Sequence, residues 1–348
     1  LRLSELKLPL DHSEADLIQA ICRRLKIQPN QLQAHHLVKR SVDARKRPAI
    51  SLVYCLDLEL VPEAKSDAKA GAKTEAALLE RFRGDPHLRS SPDTRYQLVA
   101  QVPNDLDAGT ALPRPVVVGA GPCGYFAALL LAQMGLRPLL LERGKPIRER
   151  TADTFGFWRG QAPLQCESNA QFGEGGAGTF SDGKLYSQIS EDPRLVRKVL
   201  EELVASGAQQ EILTLHRPHI GTFKLATVVR GLRRRIEELG GEVRFESRLD
   251  SLLLEPAGPD GVMGLRGVRL ADGQEIAAAQ VVLAPGHSAR DTFERLHQQG
   301  VAIESKPFAI GVRIEHPQSL IDRARWGAAA GHPRLGAAEY KLVHHCAS

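Results

Sequence analysis

The sequence is short of cysteine, and what it has is not arranged for metals or disulfides. Cys22, Cys55, Cys123, Cys166 and Cys346 are odd in number, widely spaced and never in C-x-x-C. That pattern excludes a disulfide framework, a zinc ribbon and a dithiol redox centre, and it points to a reducing, cytoplasmic setting. There is no Ser nucleophile elbow, no H-E-x-x-H and no evident carboxylate pair, so nothing marks a hydrolase. Internal repeats are absent. Charge of one sign is not in excess: the net charge is +5 and the pI about 9.0 over 348 residues, too mild to demand a nucleic-acid partner. LRLSELKLPLDH at the N-terminus is broken by charges and is no signal peptide. The chain opens on Leu1 rather than Met, which leads us to expect a trimmed or partial sequence. One stretch, Pro115 to Leu136, lacks charge for long enough to cross a bilayer. Its glycines and proline interrupt it at a turn, so a buried helix is expected and no membrane partner.

What is present centres on residues 115–142, PVVVGAGPCGYFAALLLAQMGLRPLLLE. Val116–Val118 is a β-branched run that reads as a buried strand. Gly119, Gly121 and Gly124 spell G-x-G-x-x-G. An apolar helix is expected from Tyr125 to Met134, stopped by Gly135, then a strand from Pro138 to Leu141 ending on Glu142. Glycines at a strand-to-helix turn, with an acid about twenty residues on, form the dinucleotide-binding βαβ opening. Gly119 permits the sharp turn, Gly121 lets a pyrophosphate approach the backbone, and Gly124 lets helix and strand pack closely. The helix N-terminus supplies N–H groups and a positive dipole end for the phosphates. Glu142 is placed to accept bonds from a ribose diol.

Before this motif, residues 1–60 read as a small α+β unit. A strand is expected over 1–10, and a helix capped by Ser13 or Asp16 runs through Leu25 with Ile18, Ile21, Cys22 and Leu25 on one face. A second strand is expected over 49–60. Lys39, Arg40, Arg45, Lys46 and Arg47 lie between them as a basic loop. A solvated hairpin edge is the preferred reading, with RNA or another anion as the alternative. Residues 63–83 are an exposed Ala/Lys/Glu helix, and prolines at 86, 92, 103, 113 and 115 punctuate a linker with a boundary near 112.

After Glu142, residues 145–170 are semi-helical. QFGEGGAGTFSDGKLY then places five glycines between Gly173 and Gly183. Gly173 to Gly178 repeats G-x-G-x-x-G without a preceding strand or following helix. Gly178 to Lys184 resembles a Walker A loop, but Leu185 stands where a Mg²⁺-binding hydroxyl belongs. What survives is a loop whose backbone can approach a ligand. Helices are expected at 192–206 and 224–239, a strand at 242–246, and a β-meander over 248–283. The meander delivers VVLAPG (281–286), a helix over 288–299 with Ser288 as N-cap, a strand over 308–314 and a short strand in AEYKLVHHC.

From about residue 112 onward the sequence resembles FAD-dependent oxidoreductases of the two-dinucleotide-binding-domain type, through VVVGAGPCG, Glu142-Arg143, the glycine-rich loop and VVLAPG. Pro285 departs from the usual Thr in that last turn. Over its whole length, through GEGGAGTFSDGKL, PHIGT, VLAPGHSARDTFE, IGVRIEHPQ and AEYKLVHHC, it resembles a bacterial family of FAD-dependent dehydrogenases whose small N-terminal α+β domain carries S-x-D-A-R-K, here Ser41 to Lys46. Phe223 stands where that family leads us to expect an acid. The resemblance implies an α/β fold: a Rossmann-like FAD-binding domain with an inserted β-meander and an α+β substrate region. It also implies a chain truncated at its C-terminus, so that FAD would be held poorly. The implied layout is an N-terminal domain and linker (1–111), a first FAD-binding part (112–186), a helical segment (187–241), third strand, meander and return (242–300), and the start of a substrate region (301–348).

The implied cofactor is FAD, with NAD(P)H as candidate reductant. The implied cofactor-binding residues are Gly119, Ala120, Gly121, Pro122, Gly124, Glu142, Arg143, Gly175, Gly176, Gly178, Thr179 and Gly286. Arg143 is expected along the adenosine. Lys184, His219, His287 and Cys166 are candidates to face the flavin, none with a motif behind it, so the catalytic residues and substrate stay unassigned. His344, His345 and Cys346 are not expected to bind metal, because neighbours in a strand point to opposite faces. Two rival readings are an NAD-dependent dehydrogenase using Gly119–Glu142 alone, and a non-catalytic or RNA-associated flavoprotein.

Overall fold

The computed structural model describes residues 1–46, 49–61, 68–103, 113–185, 192–257, 262–307 and 314–340. These fall into two compact units: Leu1–Asp93 with Leu213–His216 and Pro307–Ser348, and Thr94–Ile212 with Arg217–Lys306.

In the first unit, alternation sets the core. Leu6, Leu8, Leu52, Tyr54, Leu56, Leu58 and Leu60 fall on one face of strands β1 (Arg2–Pro9) and β3 (Ser51–Leu60), and all are buried. Leu3 joins them although it is three residues from Leu6, because the register slips between them and Glu5 takes a φ of 56°. Helix α1 (Glu14–Leu25) is capped by Ser13, whose Oγ accepts from Asp16 N at 3.2 Å while Asp16 accepts from Ser13 N at 2.8 Å. Its inward residues are Leu17, Ile21, Cys22 and Leu25; Ile18 is only half-buried, because the i, i+4, i+8 line starts one residue earlier than expected.

With β2 (Leu32–Asp43), α2 (Ala68–Arg81) and β4 (Leu88–Arg89), the sheet order is β2-β3-β1-β4, all neighbours antiparallel. A βαββαβ chain in this order is the ferredoxin-like arrangement. Strand β2 corrects the expected basic loop: Lys39 and Arg40 lie in it, while Arg45 follows it. Its charges and histidines disguised it, as suits an edge strand. Arg47 lies outside the described residues.

The same unit takes in a helix from much later in the chain. Helix α8 (Gln318–Trp326) was not anticipated; Trp326, Leu335 and Ala338 join the core of β1, α1 and β3. Arg334 fastens this segment by donating to the carbonyls of Leu10 (3.0 Å) and His12 (2.8 Å). Trp326→Ala is expected to cost about 3–5 kcal/mol, as other buried Trp and Phe truncations do. Urea unfolding followed at the first unit's amides measures it, and a loss below about 1 kcal/mol would show that α8 adds little to this core.

The second unit contains a parallel sheet of β5 (Val116–Val118), β6 (Leu139–Leu141), β7 (Glu242–Arg244) and β11 (Val281–Leu283), in the order β11-β5-β6-β7. Strands β5, β6 and β11 read as unbroken apolar runs because both faces of the sheet are covered, whereas the edge strand β7 is Glu-Val-Arg. Val117 and Leu140 face α3 (Pro122–Gln133) and α6 (Thr222–Glu238). Val116, Val118, Leu139 and Leu141 face the antiparallel meander β8 (Leu249–Pro256), β9 (Met263–Leu270) and β10 (Glu275–Ala277). This is the Rossmann-like α/β fold expected from the sequence. Helix α4 (Ile147–Trp158) occupies the semi-helical stretch, and α5 (Pro193–Ala205) packs on α6.

Three details differ. Helix α3 begins at Pro122, not Tyr125, since proline suits the first turn of a helix. Helix α7 (Arg290–Gln298) is preceded by Ala289, so Ser288 is not its N-cap; the turn from Gly286 to Ala289 carries the chain one residue further. A short 3-10 turn, Ala177–Phe180, lies within the glycine-rich loop. The boundary expected near 112, most of the strand expected over 308–314, and His344, His345 and Cys346 lie outside the described residues, and 338–340 form no strand. Among the described residues no helix is long and apolar enough to cross a membrane, and no cluster of three metal-ligating side chains occurs.

Candidate functional site

Strands β5, β6 and β11 all end at one cavity of about 290 Å³, at the carboxyl edge of the sheet where open α/β folds bind ligands. The turn after β5 brings Gly119, Gly121, Pro122 and Cys123 to it; the end of β6 brings Glu142 and Arg143; the turn after β11 brings Ala284, Pro285, Gly286, His287 and Ser288. The glycine-rich loop closes the remaining side with Gln171, Phe172, Gly173, Gly176, Ala177 and Gly178. The two glycine turns meet backbone to backbone. A Cβ on Gly176, itself at φ 69°, would stand 2.8 Å from Gly121 Cα. Side chains there would fill the space in front of the α3 N-terminus, whose first-turn N–H groups have no partner within the helix.

Glu142 is buried and heavily bonded. Oε2 accepts from Ala120 N at 2.7 Å, and Oε1 accepts from Gly144 N and Gly173 N at 2.9 Å each. The carboxylate therefore ties three turns together as well as lining the cavity. Arg143 stacks over Phe172, 4.0 Å from the ring centroid. It pairs with Glu167 (2.7 Å) and Asp291 (3.0 Å), and Arg248 reaches the same Asp291 at 3.2 Å. Burial works against the Arg143 charge, but the bonds to Glu167 and Asp291 outweigh it and hold the guanidinium above its ordinary pKa.

Behind the cavity lies a buried polar network. Arg150 donates from Nη1 to Glu174 O (2.6 Å) and Thr179 Oγ1 (3.0 Å), and from Nε to Asn169 O (2.9 Å). Burial, partly offset by Glu142 and Glu174, pulls its pKa down to about 10, so it remains charged at neutral pH. The Glu174 carboxylate accepts from Ile147 N (2.6 Å) and Tyr125 Oη (3.1 Å). Arg233 Nε lies 3.2 Å from it, within ion-pair range but not aligned as a hydrogen bond. Burial, with Glu174 beside it, raises the Tyr125 phenol well above its usual range.

Of the residues expected to hold a cofactor, Gly119, Gly121, Pro122, Glu142, Arg143, Gly176, Gly178 and Gly286 line the cavity. Ala120, Gly124, Gly175 and Thr179 stand behind it and shape the turns. Of the candidates to face a flavin, His287 lines this cavity, and Cys166 lines a separate one of about 720 Å³ beyond Arg143. Lys184 and His219 face each other across an isolated antiparallel bridge, away from both. Ser247, Arg248 and Thr292 also line the first cavity and were not anticipated; Phe172 and Gly173, part of the loop expected to approach a ligand but not singled out, line it too. Nor was Arg150, although Ile147, Arg150 and Thr154 share the buried face of α4. A charge in line with an inward stripe was the available signal.

A dinucleotide fits this donor set in part. At about 290 Å³ the cavity is at the lower end for small-molecule sites, so it suits one nucleotide half rather than the whole. The glycine backbones leave room for phosphates at the α3 N-terminus.

Comparison with known proteins gives two domain matches. A model described as a domain of unknown function (DUF8436) covers residues 1–59. A model described as "FAD-dependent protein, C-terminal domain-like" covers residues 307–348. Residues 307–348 are thus similar to part of an FAD-dependent protein. An uncharacterized protein of Clostridium beijerinckii is 37% identical over 346 residues, 99% of this chain and 59% of its own length. The chain therefore spans less than two thirds of that relative. Among solved structures, THI4 of Thermovibrio ammonificans is 16% identical with a TM-score of 0.36, covering 55% of this chain and 64% of that one. Thioredoxin reductase of Lactococcus lactis is 15% identical with a TM-score of 0.26, covering 50% of this chain and 36% of that one. Similarity at this level carries no functional weight.

Proposed function

We propose that the second unit binds FAD non-covalently, with its ADP half in the cavity at the ends of β5, β6 and β11. The whole protein would then be an FAD-dependent oxidoreductase whose substrate is unassigned, with NAD(P)H as candidate reductant. The observation that carries this reading is the contact of Gly121 with Gly176 in front of the α3 N-terminus. It leaves two converging glycine backbones where a pyrophosphate would lie. The match of residues 307–348 to an FAD-dependent protein supports it. Bound flavin would supply the hydride or electron transfer, and the chain would bind and orient it. Gly119, Gly121, Gly176 and Gly178 would hold the phosphates, and Glu142, Arg143 and Phe172 would flank the adenosine. NAD alone is disfavoured because the glycine-rich loop and the 284–286 turn share the cavity with the first glycine motif.

Calorimetric titration of the full chain with FAD, ADP and NAD tests this. FAD and ADP are expected to bind at the same site, with NAD weaker than FAD. Tighter binding of NAD than of FAD would replace this reading with that of an NAD-dependent dehydrogenase.

A further inference from the structure

Arg150 is fully buried in α4 and does not line the cavity. Its guanidinium nevertheless collects the inward carbonyls of the loop leading to it: Asn169 (2.9 Å), Ala170 (3.1 Å), Gly173 (3.3 Å) and Glu174 (2.6 Å), with the Thr179 hydroxyl at 3.0 Å. In a trans peptide, turning C=O one way turns N–H the other. The N–H groups paired with the Gly173 and Glu174 carbonyls belong to Glu174 and Gly175. These donate outward to Lys145 O at 3.1 Å and to Ala120 O at 2.9 Å. Ala120 sits between Gly119 and Gly121, so this bond sets the register of the glycine-rich loop on the first glycine turn. The next residue, Gly176, is the one that meets Gly121. Glu174 balances the buried charge from the Tyr125 and Arg233 side.

We propose that Arg150 is the positioning residue for the phosphate side of the cavity: it touches no ligand, but its fork of bonds to residues 169–179 holds Gly176 against Gly121 at the α3 N-terminus. This inference rests on the dinucleotide reading above. The adenosine side depends mainly on parts outside that loop, Glu142 and Arg143 at the end of β6 and Leu249 at the start of β8; its contact within the loop is Phe172, which lies under Arg143. Loss of the Arg150 fork should therefore separate phosphate recognition from adenosine recognition. Lysine at this position keeps the charge facing Glu174 but lacks the planar fork.

The test compares the full chain with Arg150→Lys and Thr179→Val, titrating each with adenosine and with ADP while far-UV circular dichroism monitors folding. Arg150→Lys is expected to weaken ADP binding by about ten- to a hundredfold, the range for losing hydrogen bonds from a charged group. Adenosine binding should stay within about twofold of the parent, because a single neutral contact is the most it loses. Thr179→Val removes one acceptor and should weaken ADP by about two- to tenfold; it decides the matter if Arg150→Lys fails to fold. Parent-like ADP binding in the folded variants, or equal losses for adenosine and ADP, would overturn the positioning role. A parent chain that binds neither ADP nor FAD would overturn the dinucleotide reading itself, and this inference with it.

Discussion

Gly124→Ala is expected to unfold the second unit at ambient temperature or to lower its thermal midpoint by well over ten degrees. A Cβ at this position would stand 1.7 Å from Gly119 O, a backbone atom held by the turn after β5. No side chain is available to move aside, so the cost exceeds the roughly 1–3 kcal/mol of ordinary overpacking. A destabilisation of a few kcal/mol already shifts a domain of this size by about 2–4 °C per kcal/mol. Gly119→Ala should behave similarly: its Cβ would meet Ala284 O at 2.2 Å, and its φ is 101°. That clash falls between the first glycine turn and the strand returning from the meander. Gly178→Ala is the control for stability, since nothing lies within 4 Å of its Cβ position. Thermal melts by circular dichroism compare the three. A Gly124→Ala variant that melts with the parent would mean that helix α3 does not start where the structure puts it.

Glu142→Gln is expected to destabilise the chain before any ligand is added. The carboxylate receives three backbone N–H bonds, from Ala120, Gly144 and Gly173, at 2.7–2.9 Å. A glutamine amide has one acceptor oxygen, so in either orientation its NH2 group faces at least one of these donors. Loss of a hydrogen bond to a charged group and exposure of an unsatisfied buried donor together come to about 3 kcal/mol. Urea unfolding of the ligand-free chain measures this. A residue serving only as acceptor for a ribose would leave ligand-free stability unchanged, and that result would contradict the tie drawn between the three turns.

The two halves of the fold were legible to different degrees. The parallel sheet announced itself because both of its faces are covered, which demands continuous apolar runs at 116–118, 139–141 and 281–283. The glycine spacing placed the first turn, and a glycine-rich string marked the second. Strand β2 was hidden because an edge strand need bury only one side of itself, and His35, His36, Lys39 and Arg40 break its pattern. Helix α8 was hidden because its buried partner is distant in sequence: Trp326 joins a core made by residues between Leu1 and Leu88. Glu142 was expected to meet a ribose, and its bonds to Ala120 and Gly173 depend on tertiary placement that no spacing rule encodes. Arg150 escaped notice for the same reason, since its partners are mainly carbonyls.

The central claim is that the turns at 119–124, 173–179 and 284–288 form one dinucleotide site with the FAD adenosine and pyrophosphate inside it. Hydrogen–deuterium exchange of the full chain, with and without saturating FAD, tests it most directly. Slower exchange is expected in all three turns and around Glu142–Gly144, with the first unit's sheet unchanged. Protection confined to other segments, or none in the 173–179 loop when FAD is bound, would contradict it.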